Sequence, residues 1–183
     1  MLAEILNMYS SMFVVMAQCG EPARLREFYG LKVKDLMDKR SWDLPVVDKK
    51  TDIDHVFSIL SGKNHVWVVE SRESMKVVGV ITEHDALSLL SPAYVQMHAF
   101  SRPNIRSFQI GLVTTAEEMM SKHLITAFPG ESVTAVLARM KQHRVRRLPV
   151  VDEQRKLIGE ITLHHLIYQY HKEHRKVVSS SVE

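Results

Sequence analysis

Gly79-Val80-Ile81-Thr82-Glu83-His84-Asp85-Ala86-Leu87 returns eighty positions later as Gly159-Glu160-Ile161-Thr162-Leu163-His164-His165-Leu166-Ile167. An echo at that distance means two copies of one structural unit. In both copies an apolar, β-rich run (residues 76–81 and 156–161) stops at a threonine, after which apolar residues recur at helical spacing. The threonine therefore marks a strand-to-helix junction. Its hydroxyl can cap the N–H groups of the helix start, and the same N–H groups with their dipole can hold an anion. Cap and ligand compete for one place.

The first unit spans residues 31–91. Residues 33–37 predict a short helix, and Leu44-Pro45-Val46-Val47 a strand that Pro45 confines to a sheet edge. Ile53, Val56, Phe57 and Leu60 make a helical stripe, capped by Thr51 or Asp52 and ended by Gly62. Residues 65–70 and 76–81 predict a hairpin around Ser71-Arg72-Glu73-Ser74, and a helix over 83–90 is stopped by Pro92. The second unit, residues 113–174, repeats that order. Residues 116–120 match the first short helix, Leu124-Ile125-Thr126-Ala127 the edge strand, and Val133, Val136, Leu137 and Met140 the middle helix, with Ser132 as its cap. Leu148-Pro149-Val150-Val151-Asp152 and residues 156–161 supply the second hairpin, and the last helix begins after Thr162. The fold class is α+β, two β-α-β-β-α repeats. Each copy alone would leave a sheet face and several helix stripes bare, so copy must pack on copy, leaving clefts between them. Residues 1–30 form an N-terminal helical extension in which Ile5, Met8, Met12, Val15 and Met16 fall on one face. Residues 92–112 are a linker and residues 175–183 a tail.

The composition fits a soluble globular protein of 183 residues, with 45% hydrophobic and 25% charged positions, and excludes disorder for the body of the chain. The single cysteine, Cys19, excludes an internal disulfide framework, fits a reducing compartment and points to a cytoplasmic location. No stretch is long and apolar enough to span a bilayer, and residues 1–19, which contain Glu4, Asn7, Ser10 and Ser11, do not read as a signal peptide. A net charge of +3 suits an anionic ligand, but it is dispersed rather than gathered into a nucleic-acid footprint. His164, His165, His171 and His174 offer a weak surface pair, with no carboxylate or cysteine to complete a metal set. No nucleophile with base and orienter is legible. The expectation is therefore no enzyme, no metal and no obligatory cofactor.

Gly79-Val80-Ile81-Thr82 with Asp85, Arg146-Arg147-Leu148-Pro149-Val150-Val151-Asp152 and Leu157-Ile158-Gly159-Glu160-Ile161-Thr162, in two copies of one element order, resemble a tandem pair of cystathionine-β-synthase (CBS) domains. The resemblance covers about residues 31–174. It implies a pseudo-two-fold pair of CBS repeats serving as a regulatory module that senses an adenosine-containing ligand (AMP, ADP, ATP or S-adenosylmethionine) in a cleft between repeats. Such pairs often dimerise, so a homodimer is expected, and the regulated partner would be a separate chain or the protein's own oligomer. By the family pattern Asp85 takes the ribose hydroxyls and Thr82 the ribose or phosphate. Thr162 and His165 mark a second site, where imidazole cannot accept two hydroxyl protons as a carboxylate does. The edge strands, through Val46, Val47, Thr126 and Ala127, are implied to meet the base.

Two of these assignments have plain structural alternatives. Threonine followed three residues later by an acid is also a helix capping box, which would keep Thr82 and Asp85 for each other. Arg144 and Arg146 suit a phosphate in the cleft, but cations also complement a helix C-terminus. Strand alternation would put Arg147 on the opposite side from Arg144 and Arg146. The competing function is a nucleic-acid-binding or scaffolding protein that uses the basic edge at Arg144 to Arg147.

Overall fold

The computed structural model describes residues 28–39, 43–90 and 113–180. The predicted N-terminal helix with Cys19, Trp42 and the linker lie outside the described residues. The chain runs α1 (Val33–Leu36), β1 (Val46–Asp48), α2 (Ile53–Leu60), β2 (His65–Val69), β3 (Val77–Thr82), α3 (Glu83–Leu90), α4 (Ala116–Met119), α5 (Val133–His143), β4 (Arg147–Val151), β5 (Leu157–Thr162) and α6 (Leu163–Ser180). The expected pair of repeats is present.

In repeat 1, β1 runs parallel to the central strand β2, and β3 pairs antiparallel with β2 on its other side. Every residue of β2 is buried, because both sheet faces are covered. Val66 and Val68 face α2 and the core of repeat 1, while Trp67 and Val69 face a second core shared with Val151 and Leu157 of repeat 2. The helix α2 begins at Asp52, whose carboxylate accepts the Asp54 N–H at 2.8 Å, and it buries Val56 completely. In repeat 2, β4 and β5 form the hairpin. The predicted edge strand at Leu124 to Ala127 shrinks to one bridge, Ala127 beside Val150. Ala127 donates to the Pro149 carbonyl at 2.9 Å and accepts from Val151 at 3.0 Å. Pro129, two residues on, lacks the N–H that would continue the ladder.

The short helices cross over. α1, at the start of repeat 1, packs on repeat 2: Val33 donates to the Glu131 carbonyl at 3.0 Å, and Asp38 and Glu160 exchange backbone hydrogen bonds at 2.8 and 3.2 Å. α4 does the same on repeat 1, where Ala116 donates to Thr51 at 2.8 Å and Val80 and Ser121 exchange bonds at 3.1 and 2.9 Å. Phe28 and Val33 thus belong to the repeat 2 core, and Ala116, Met119 and Met120 to that of repeat 1. At the pseudo-two-fold axis Lys76 bridges Lys156, and Leu157 donates to the Met75 carbonyl at 2.8 Å.

This exchange explains the paired glycines of the repeat. A Cβ at Gly79 would run into the Met120 side chain, whereas one at Gly159 would lie 2.5 Å from the Asp38 backbone oxygen. The Met120 contact reaches its Cβ at 2.9 Å, which moves only with the backbone, so neither neighbour can simply swing away. Gly79→Ala and Gly159→Ala are each expected to cost about 1–3 kcal/mol. An unchanged urea midpoint in either variant would refute the close approach there.

Candidate ligand-binding site

Two cavities lie between the repeats, related by the pseudo-two-fold. The first, about 420 Å³, opens beside the β3–α3 junction and is lined there by Thr82, Glu83 and His84. Repeat 2 closes it with His123, Leu124 and Ile125 on one side and residues 144–148 on another. Trp67, Val80, Leu124 and Ile125 give it an apolar wall; Arg144, Arg146 and Arg147 give it cationic character against one acid, Glu83. The second cavity, about 540 Å³, opens beside the β5–α6 junction at Thr162, Leu163, His164 and His165, and Asp43, Leu44 and Pro45 of repeat 1 face it. Its charges balance, with Asp38, Asp43 and Glu160 against Lys63, Arg146 and Arg147. Each cavity thus joins the junction of one repeat to the edge segment of the other.

Thr82 lines the first cavity, as expected of a ligand residue. Asp85 does not: its Oδ2 accepts from both the Thr82 N–H at 2.8 Å and the Thr82 hydroxyl at 2.7 Å. The equivalent hydroxyl in repeat 2 has the opposite polarity, since Thr162 Oγ1 accepts the His165 N–H at 3.2 Å. The difference follows from the residue three places on. A carboxylate takes the hydroxyl proton, while an imidazole leaves the oxygen to cap the helix. His165 faces the second cavity, and its Nδ1 is buried with no hydrogen-bond partner among the described residues.

The side chains of Val46, Val47 and Ala127, expected to offer backbone contacts to the base, are buried in the cores, and the cavities are lined by Leu44 and Pro45 and by Leu124 and Ile125, just N-terminal to Val46, Val47, Thr126 and Ala127. Strand alternation does not divide the arginines, because β4 starts only at Arg147. Arg144 caps α5 in the left-handed conformation at φ 55°, so Arg144, Arg146 and Arg147 all line the first cavity. Left-handed backbone at a residue other than glycine costs about 1–2 kcal/mol and is sustained here at a cavity rim.

The family model for the CBS domain matches residues 33–92 and again 116–172, well over half of the chain. The chain is a CBS-domain protein. Its CBS repeats align with a homoserine O-acetyltransferase from Methanosphaera stadtmanae at 25% identity over 143 residues, 77% of this chain but 24% of the enzyme. They align with the inosine-5'-monophosphate dehydrogenase of Bacillus subtilis at 33% over 98 residues, 54% of this chain and 16% of the enzyme. The CBS protein thus spans a quarter or less of the length of these relatives. Among solved structures, the CBS domain pair of protein MJ0100 in complex with 5'-methylthioadenosine and S-adenosyl-L-methionine is similar at a TM-score of 0.58 and 25% identity, covering 78% of this chain and 98% of that one. CBSX2 in complex with AMP reaches 0.61 at 22% identity over the same shares, which shows the fold. CBS pairs are in general regulatory rather than catalytic modules, and the matches to enzymes fall on the CBS region. No helix among the described residues is long and apolar enough to cross a membrane.

Between the two cavities of the CBS pair lies a buried polar cluster that the sequence reading missed. His65 faces Thr82 across one hairpin as Arg147 faces Thr162 across the other, so the pseudo-two-fold brings positions 65 and 147 together. Glu160 stands where repeat 1 has Val80. Its Oε2 meets His65 Nε2 at 2.8 Å and accepts the Trp67 Nε1–H at 2.9 Å, while Arg147 Nη1 meets His65 Nδ1. A guanidinium can only donate, so Nδ1 accepts and Nε2–H donates to Glu160. A neutral imidazole fits this arrangement, in which the contact with Glu160 is a hydrogen bond. Burial pushes the His65 pKa below its ordinary 6.5, with the Arg147 and Lys63 charges adding to it and Glu160 opposing. Burial would raise Glu160, but His65, Trp67 and Arg147 together hold it below its ordinary 4.5. The detectable signal was a glutamate at a position that is valine in the other copy.

Both shifts give the same sign of pH dependence. The unfolded chain takes up a proton at His65 near pH 6.5 while the fold resists it, so stability falls as pH drops below 6.5 toward the folded value. Glu160 adds a loss that begins near 4.5 and runs down through its folded value. Thermal melts from pH 7.5 down to pH 5.5 are expected to show a falling midpoint, with a shallower fall in His65→Gln. Parallel pH profiles for the two proteins would exclude His65 as the source.

Proposed function

We propose that this CBS pair is a regulatory module that binds an adenosine-containing nucleotide in the first cavity. The observation that carries the reading is the convergence of Arg144, Arg146 and Arg147 on the Thr82 junction across an apolar wall. The wall suits a purine, the arginines suit phosphate, and the volume lies in the range of small-ligand sites. The adenosine class is supported by the MJ0100 pair, solved with two adenosine compounds. The cationic lining favours AMP, ADP or ATP over the sulfonium of S-adenosylmethionine. The same three arginines line a recess rather than an open ridge, which counts against the nucleic-acid reading.

On binding, Asp85 turns from Thr82 to the ribose hydroxyls and releases the threonine hydroxyl to the phosphate. The nucleotide acts as a switch only to the extent that it favours one arrangement of the repeats, or of a separate regulated chain, over another. The test is calorimetric titration with AMP, ADP, ATP and S-adenosylmethionine beside Asp85→Ala. Hydrogen bonds to a charged group contribute about 1.5–3 kcal/mol, so the variant is expected to bind roughly tenfold more weakly or worse. Undiminished binding would remove Asp85 from the site. No binding of any of the four, with salt-dependent nucleic-acid binding instead, would replace the nucleotide reading.

A further inference from the structure

We infer that His65 is a positioning residue for Arg147, and that a phosphate-bearing ligand drawing this guanidinium into the first cavity brings a proton onto His65. The inference rests on the nucleotide reading of the first cavity. Its basis is the placement of three side chains. Arg147 lines both cavities and is held in place by the His65 Nδ1 lone pair. His65 is 4% exposed and borders the second cavity, and Arg147 is its partner at Nδ1. Glu160 fixes the opposite ring nitrogen as the donor.

While Arg147 points at Nδ1 the ring cannot accept a second proton there, because two N–H donors would face each other. The charged groups around His65 are Glu160 from β5, Arg147 from β4 and Lys63 from the turn before β2. Around Arg147 they are Glu160, Glu83 from α3 and Arg146. A phosphate that recruits Arg147 removes one positive charge from His65, opens Nδ1 and leaves Glu160 in place. Both changes favour imidazolium, and Glu160 stays to stabilise it. The imidazolium in turn places a positive charge beside an occupied anion site. Binding therefore takes up a proton, and affinity for a phosphate-bearing ligand rises as the pH falls. Adenosine, which carries no anion, leaves Arg147 on His65 and shows no such coupling.

The experiment is calorimetry of the full chain with AMP and with adenosine near the ordinary imidazole midpoint, about pH 6.5, in two buffers of different ionisation enthalpy. AMP's own phosphate titrates near pH 6, so the readout is the difference between wild type and His65→Gln, which keeps an acceptor and a donor but does not titrate. Wild type is expected to take up more protons per AMP than the variant, with no difference for adenosine. For each unit by which the His65 midpoint rises on binding, AMP affinity gains about tenfold below the transition relative to the variant. Equal proton uptake by the two proteins, with AMP still bound, overturns the role of His65 and leaves the nucleotide site standing. Absence of AMP binding in both overturns the two together. Should His65→Gln fail to fold, NMR titration of the His65 ring in wild type decides: a midpoint that does not rise with AMP overturns the inference.

Discussion

Glu160→Val is expected to lower folding stability by about 3–5 kcal/mol, the cost of breaking a buried, hydrogen-bonded charge cluster by removing one member. Valine is the natural comparison because Val80 fills the symmetry-equivalent position in repeat 1. The glutamate side chain is only 12% exposed and satisfies two buried donors, the His65 Nε2–H and the Trp67 Nε1–H. After the substitution neither donor has a partner, and the Arg147 guanidinium, whose charge burial already disfavours, loses the stronger of the two carboxylate fields that favour it, keeping Glu83. Valine is smaller and leaves some space unfilled, but the larger loss is polar satisfaction at the seam between repeats. Small domains are stable by only about 5–15 kcal/mol, so the loss would take a large share of the total. Urea unfolding measures it directly. A loss under about 1 kcal/mol would mean that the cluster contributes geometry but no stability.

The repeated junction was legible because two periodicities meet there: a run of period two ends at Thr82 or Thr162 and a helical stripe begins. The central hairpins and middle helices followed from the same patterns. Packing of copy on copy was legible too, but not which residues each repeat lends to the other. Residues 33–37 read as the start of the first unit, yet Val33 is fully buried in the second, because a four-residue helix has no packing of its own and goes where the bare sheet is. Leu124 to Ala127 has the apolar composition of a strand and makes one bridge, since Phe128-Pro129 ends its hydrogen bonding. Thr82 and Asp85 were found as a pair, but whether they serve a cap or a ligand depends on which way a carboxylate turns, and spacing alone is silent on that. The arginines misled for a related reason. Alternation presupposes a strand, and the left-handed turn at Arg144 comes before one starts.

Trp67→Ala is expected to cost about 3–5 kcal/mol, the range for truncating a large buried aromatic side chain. Trp67 is 2% exposed and sits in the core shared by the two repeats, against Val46, Val69 and Val77 from its own half and Val151 and Leu157 from the other. Its deletion would open a void on the seam, where the hairpins are fixed by backbone bonds at Lys76 and Lys156 and cannot collapse inward. Trp67→Phe separates packing from polarity. It keeps an aromatic ring beside His65, whose own ring stands edge-on to the indole at 5.0 Å, but strips the N–H that serves Glu160. The carboxylate keeps the His65 donor, so about 1.5–3 kcal/mol is expected from the one lost hydrogen bond to a charged group. The Glu160→Val and Trp67→Phe effects should then fall short of additive when combined, because both remove the same hydrogen bond. Strict additivity in that cycle would show that indole and carboxylate act independently. A Trp67→Ala variant as stable as wild type would place the energy that joins the repeats outside their shared core, in the crossed helices α1 and α4.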